Sequence, residues 1–212
     1  MQLYYCEVLN PRKACAAALY LGAPVEMVRV DIFKGAHKTP DFLARNPNGQ
    51  VPVLQDGASV LTESNAIMCH MSDRVGADFW PHDGRQIDVL RWLFWDANHF
   101  SRWGGELYFQ NVILPFVGGA PDAAAVEDAG KSFRRFAAVL DTHLRGRDCI
   151  VGESWTVADF AVGAPMAYAA AASLPLDGFP NLTRWYARLD ELPGWHNPFP
   201  ANPDPWPGKP AQ

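Results

Sequence analysis

No CxxC pair joins the four cysteines, Cys6, Cys15, Cys69 and Cys149, and the six histidines show no metal-ligand spacing. Neither a dithiol redox motif nor a metal centre is therefore expected, and packed free thiols are. No apolar run approaches the roughly 20 residues that a bilayer-spanning helix needs. The amino terminus also lacks the basic start and apolar stretch of a signal peptide, so a cytoplasmic protein without membrane contact is expected. Basic excess is missing too. Lys and Arg number 18 against 23 Asp and Glu, a net charge of −5, and the cations are dispersed, which argues against a nucleic-acid partner. There is no internal repeat. What the chain does have is 212 residues, 49% of them hydrophobic, enough to bury a sizeable core in one domain or two.

Strand and helix patterns alternate in the first part. Gln2 to Cys6 reads as a strand, Pro11 to Leu21 as a helix, and Val25 to Asp31 as a second strand. A loop or short helix follows around Thr39 to Arg45. Val51 to Leu54 and Ser59 to Leu61 form a hairpin about Asp56-Gly57, and Asn65 to Arg74 is a further helix. That order predicts a small mixed sheet with helices. Beyond a boundary near Gly76 to Gly84 only helical signals remain. Gln86 to Val112 reads as one long helix or a kinked pair with Gly104-Gly105 as the weak point, followed by Ala123 to Arg145, Val157 to Ser173 and Leu182 to Leu192. The division is therefore residues 1–76, a linker 77–85, an all-helical domain 86–196, and a proline-rich tail 197–212 in which Phe199 and Trp206 are the residues able to pin it to the surface. Thr156 and Asp159 have capping-box spacing, which gives them a folding role.

The densest information lies in Asn48-Gly49-Gln50-Val51-Pro52-Val53-Leu54, followed nine residues later by Glu63-Ser64-Asn65-Ala66-Ile67. Pro52 stands at the mouth of a strand, where a residue without a donor is tolerated and a cis bond after Val51 is expected. The Val51 backbone is then available to an extended ligand. The second segment opens a helix, whose free amides and macrodipole bind a carboxylate. Together with Lys34-Gly35-Ala36-His37-Lys38, and in this order, these segments resemble the glutathione transferase family over nearly the whole chain. The resemblance implies a thioredoxin-like α/β domain with a mixed four-stranded sheet, followed by an all-α helical-bundle domain. It also implies glutathione as co-substrate, with no metal. Carried over by position, Glu63 and Ser64 would hold the γ-glutamyl end, Val51 beside Pro52 the cysteinyl backbone, and Lys38 with His37 or Gln50 the glycine carboxylate.

A free thiol titrates near 8.5, and lowering that by about two units takes roughly 2.7 kcal/mol of preferential interaction with the thiolate. Family members place Tyr, Ser or Cys between the first strand and first helix, and this chain departs from that pattern. Asn10 occupies the Cys position of one class and Leu9 the Ser position of others. An Asn amide can donate to sulfur, so Asn10 is the expected catalytic residue with Tyr5 in reserve. Asn before Pro11 equally has the look of a helix cap. Tyr4 and Tyr5 alternate across the strand, so only one can face the ligand. Arg12 and Lys13 read as solvated surface charges.

A second substrate would sit between the domains. Trp92, Trp95, His99, Arg102 and Trp103 share a helix face, and Asn98, His99 and Arg102, with Leu9 opposite, are the expected pocket residues. Apolar residues on the other side of that helix suggest cover by a partner subunit, hence a homodimer. The resulting expectation is a detoxifying transferase that conjugates the glutathione thiolate to a small hydrophobic electrophile. Two rivals stay open: a glutathione-dependent isomerase, dehalogenase or ether-cleaving lyase, and a non-catalytic glutathione or hydrophobic-ligand binding protein.

Overall fold

Buried and half-buried residues alternate along β1 (Gln2–Tyr5) with the period of two of a strand, and pairing on both of its edges places it inside the sheet. In the computed structural model, which describes residues 1–202, β1 pairs in parallel with β2 (Glu26–Arg29) and antiparallel with β3 (Val53–Asp56). A hairpin joins β3 to β4 (Ser59–Thr62), with Gly57 supplying the left-handed residue at φ 59°. The strand order is β2-β1-β3-β4. α1 (Leu9–Tyr20) makes the crossover that parallel strands require. Two 3-10 turns, Ile32–Lys34 and Ala36–Lys38, and the short α2 (Pro40–Leu43) connect β2 to β3. α3 (Ser64–Val75) closes this thioredoxin-like half and stops at left-handed Gly76, φ 67°.

The second half is helical. α4 (Gln86–Trp95) runs into α5 (Ser101–Tyr108) through a π-helical segment at Asp96–Phe100, and a second π segment at Phe109–Ile113 leads to α6 (Leu114–Phe116). The expected weak point at Gly104-Gly105 is thus corrected: both glycines lie inside regular helix, and the departures from α geometry fall on either side. A Cβ on Gly104 would come within 2.7 Å of the Pro165 Cβ, so this residue is fixed by close packing. Asp122 caps α7 (Ala123–His143) by accepting from the amides of Ala124 and Ala125. α8 (Val157–Gly163) carries the expected capping box, and its buried Asp159 also accepts from the Ile150 amide and the Trp185 indole at 2.8 and 3.1 Å. It ends before Ser173 because Pro165, which has no donor, turns the chain into the 3-10 segment Pro165–Tyr168. α9 (Pro180–Asp190) and α10 (Pro193–His196) follow.

α1 packs on α3 within its own half and on α8 and α10 of the other. This overturns the reading of Arg12 and Lys13 as solvated, since both are buried at the junction. The Arg12 guanidinium donates to the carbonyls of Trp195 and His196 and lies over the Trp195 ring. Phe199 stacks on Tyr5 at 5.8 Å, and the Asn202 amide donates to Glu7 at 2.8 Å. Trp206, the other expected anchor, lies outside the described residues. The four cysteines are free. Among the described residues no helix is long and apolar enough to cross a membrane.

Candidate functional site

A cavity of about 720 Å³ opens between the two halves. Its first wall is built by the turn after α2. The buried Asn46 side chain donates to the Gln50 carbonyl at 2.8 Å and accepts from the Asn48 amide at 3.1 Å, which fixes the chain ahead of β3. Val51 lies two residues before the first paired residue of β3, and the Val51-Pro52 bond is cis. Gly49, at φ 59°, sits under the Lys38 side chain; a Cβ there would come within 2.9 Å of Lys38 Nζ. His37 presents a buried Nδ1 with no hydrogen-bond partner, and burial, followed by the nearby Lys38 charge, pushes its pKa down.

The second wall is the start of α3. Glu63 has φ 68° and ψ 113°, a backbone conformation that costs a non-glycine residue energy and clusters at ligand sites. Its carbonyl accepts from the Ile67 amide, but its side chain makes no capping bond and lines the cavity instead. Ser64 is buried at the first helical position, and the buried Asn65 Oδ1 has no partner. Free amides, an unspent carboxylate and orphaned polar atoms at one helix start are suited to a zwitterionic ligand end.

α1 forms the floor. Leu9, Asn10 and Lys13 recur at one- and four-residue steps and all line the cavity. Asn10 does not cap the helix: Val8 holds the N-cap position with φ −122° and ψ 175°, and Asn10 falls one turn-third inside, exposed. The reserve donor is corrected. Tyr5 points into the core against Phe199 and does not line the cavity, and burial together with the nearby Glu7 charge pushes its pKa up to about 12. Tyr4 faces the other side of the sheet, under the Arg45 guanidinium.

The roof is α5 with its flanking π segments. Ala97, Ser101, Gly105 and Tyr108 recur at four, four and three residues and face the cavity, with Arg102 at the edge. Two expected pocket residues are corrected here. Asn98 is exposed and donates back to the Phe94 carbonyl at 2.8 Å, while His99 stacks on Phe136 at 4.6 Å. The π insertion at Asp96–Phe100 turns the helix past its α phase, so the aromatic stripe goes to the core and a row of small residues takes the cleft. Phe109 and Ile113 extend the roof, and Phe33 meets Phe116 edge-on at 4.8 Å across the junction.

Of the residues singled out in the sequence, the fold gathers Leu9, Asn10, His37, Lys38, Gln50, Val51, Pro52, Glu63, Ser64 and Arg102 around one space, and leaves Tyr5, Asn98 and His99 outside it. Asn46, Lys13, Ser101, Gly105 and Tyr108 were missed. The spacing of the last three was a visible signal, hidden by the louder tryptophans beside it.

Comparison with known proteins agrees with this geometry. Residues 2–73 match the profile "Glutathione S-transferase, N-terminal domain" and residues 106–193 match "Glutathione S-transferase, C-terminal domain". The chain is 35% identical over 193 residues to glutathione S-transferase 3 of Zea mays, covering 88% of this chain and 86% of that protein. It is 34% identical over 203 residues to glutathione S-transferase theta-2 of Mus musculus, covering 92% and 82%. It also superposes on the structure of glutathione S-transferase I from maize in complex with an atrazine glutathione conjugate, with a TM-score of 0.84, 26% identity, and coverage of 93% and 95%.

Proposed function

Because the chain belongs to the glutathione S-transferase family, we propose that it binds glutathione along the Val51 edge and the α3 start and transfers its thiolate to a small apolar electrophile. One observation carries this reading: His37, Lys38, Gln50, Val51, Glu63 and Ser64, from three separate segments, converge on a single cavity that continues under Leu9 and the α5 roof. The Glu63 carboxylate receives the γ-glutamyl ammonium, and the Ser64 hydroxyl and amide donate to the γ-glutamyl carboxylate. Lys38, with His37 or Gln50, receives the glycine carboxylate. Asn10 stands at the mouth of the cavity as an uncharged donor toward sulfur. Reaction consists of loss of the thiol proton to water, attack of the thiolate on the electrophile, and departure of the leaving group under an apolar roof that excludes solvent. Cytoplasmic residence and a homodimer belong to the same proposal. The dimer is supported by Ile87 and Phe94, which are 71% and 66% exposed and lie seven residues apart on α4.

The test is titration calorimetry with glutathione. Charge-assisted hydrogen bonds are the stronger kind, so Ser64→Ala and Glu63→Gln should each weaken binding by about fivefold or more. Unchanged affinity in both variants would remove the assignment. A non-catalytic binding protein is the second reading, favoured by the apolar Leu9 at the start of α1. It predicts glutathione binding with no thiolate absorbance at neutral pH.

A further inference from the structure

Lys13 is 4% exposed and, among the described residues, its ammonium makes one hydrogen bond, at 3.4 Å to Oδ2 of Asp96, which is itself fully buried. An ammonium has three donors, so two remain, and Lys13 lines the cavity one turn beyond Leu9. Asp96 is fully engaged from behind: its other oxygen accepts from Ser101 Oγ at 2.7 Å. That bond also spends the Ser101 hydroxyl proton, so the hydroxyl that lines the roof cannot donate to a ligand. Lys13 lines the cavity, and its carboxylate partner Asp96 is sealed behind it in the π segment.

Resting on the glutathione-binding reading above, we propose that Lys13 is a catalytic residue whose ammonium donates to the glutathione thiolate, in place of the side-chain hydroxyl or thiol absent at the start of α1. The S–H bond breaks and its proton leaves to water, and neither Lys13 nor Asp96 gains or loses a proton in the step. The other charged or titratable groups around the space stand elsewhere. His37 and Lys38 come from the turn before α2, Glu63 from the start of α3, Tyr108 from the end of α5, where burial pushes its pKa up, and Arg102 from the rim, where it lies over Trp103. A thiolate at about 4 Å from the ammonium, with the carboxylate several ångström farther back, gains enough for a pKa lowered by about one unit. Burying one charge without the other is costly, which explains why the pair is kept together at the junction.

The experiment reads ultraviolet thiolate absorbance of bound glutathione against pH, with calorimetric affinity measured on the same samples. Lys13→Met should raise the thiolate pKa by about one unit and lower the rate with a chlorodinitrobenzene at neutral pH by about threefold. The double variant Lys13→Met/Asp96→Asn removes both buried charges and should show the same rise, which keeps the test open if the single variant does not fold. Asp96→Asn alone should move the pKa the other way, because the ammonium then acts unopposed. A double variant that binds glutathione and keeps the wild-type thiolate pKa would overturn the proposal. So would a change confined to KM for the electrophile, which would make Lys13 an anchor for that substrate. Failure of the wild-type protein to bind glutathione would instead remove the reading beneath it.

Discussion

Asn10 shows how a local preference can point to the wrong residue. An Asn followed by Pro has the composition of a cap and a first helical position, and the residue before proline usually avoids helical backbone. Yet α1 begins at Leu9, because burying that side chain beneath the cavity draws the helix start back along the chain. Asn10 is left exposed inside the first turn with no capping bond to lose. Asn10→Ala should therefore leave unfolding free energy unchanged or raise it by about 0.5 kcal/mol, since alanine is the better helix former, as chemical denaturation will measure. A loss of about 1 kcal/mol or more would restore the cap. The cavity-lining residues of the Val51 edge and of the α3 start were readable because each local requirement there has a few-residue signature. Lys13 was not, since nothing in Pro11 to Leu21 distinguishes a lysine under a second domain from one in water.

At the scale of the element, the roof helix carries two adjacent glycines with opposite duties. Gly104 faces Pro165 and Phe133, whereas a Cβ on Gly105 would meet nothing within 4 Å. Gly104→Ala forces atoms together in a packed core and should cost about 1 to 3 kcal/mol in stability. Gly105→Leu should leave stability nearly intact and fill the cleft. Its expected signature is lost turnover of bulky electrophiles with glutathione affinity retained; wild-type turnover of a bulky electrophile would show that Gly105 does not set the roof height. The order of the helices was readable from periodicity, but the early end of α8 at Gly163 and the phase of this helix were not. A π insertion leaves no mark in composition, and its effect is to exchange the faces that a 3.6-residue period assigns.

Across the whole molecule, the two halves are joined by polar contacts as well as by core. Glu7, just before α1, accepts from Arg29 at 2.8 Å and from Asn202 at 2.8 Å, tying the chain after α10 to the sheet. Burial alone would raise its pKa, but the Arg29 hydrogen bond, backed by Asn202, holds it below the ordinary value near 4.3. A depressed folded-state pKa stabilises the fold above the unfolded value, and that contribution disappears as pH falls through the folded one. Melting temperature should thus drop as pH is lowered from about 5 toward 3. Glu7→Gln should flatten part of that slope and cost about 2 kcal/mol at neutral pH. An unchanged slope in Glu7→Gln would assign the acid sensitivity to other carboxylates.

The placement of α1 bears on how such proteins can be recombined. This helix belongs by sequence to the sheet, yet its outer face is shaped to α8 and α10, and Arg12 reaches across to close the carboxyl end of α10. A chimera cut in the connection between α3 and α4 would keep α1 with its own strands and offer it a foreign surface. Exchange of the helical half between relatives should consequently yield insoluble protein unless the outward residues of α1 travel with the incoming half. Inheritance of the two halves as one unit follows from a helix that has two owners.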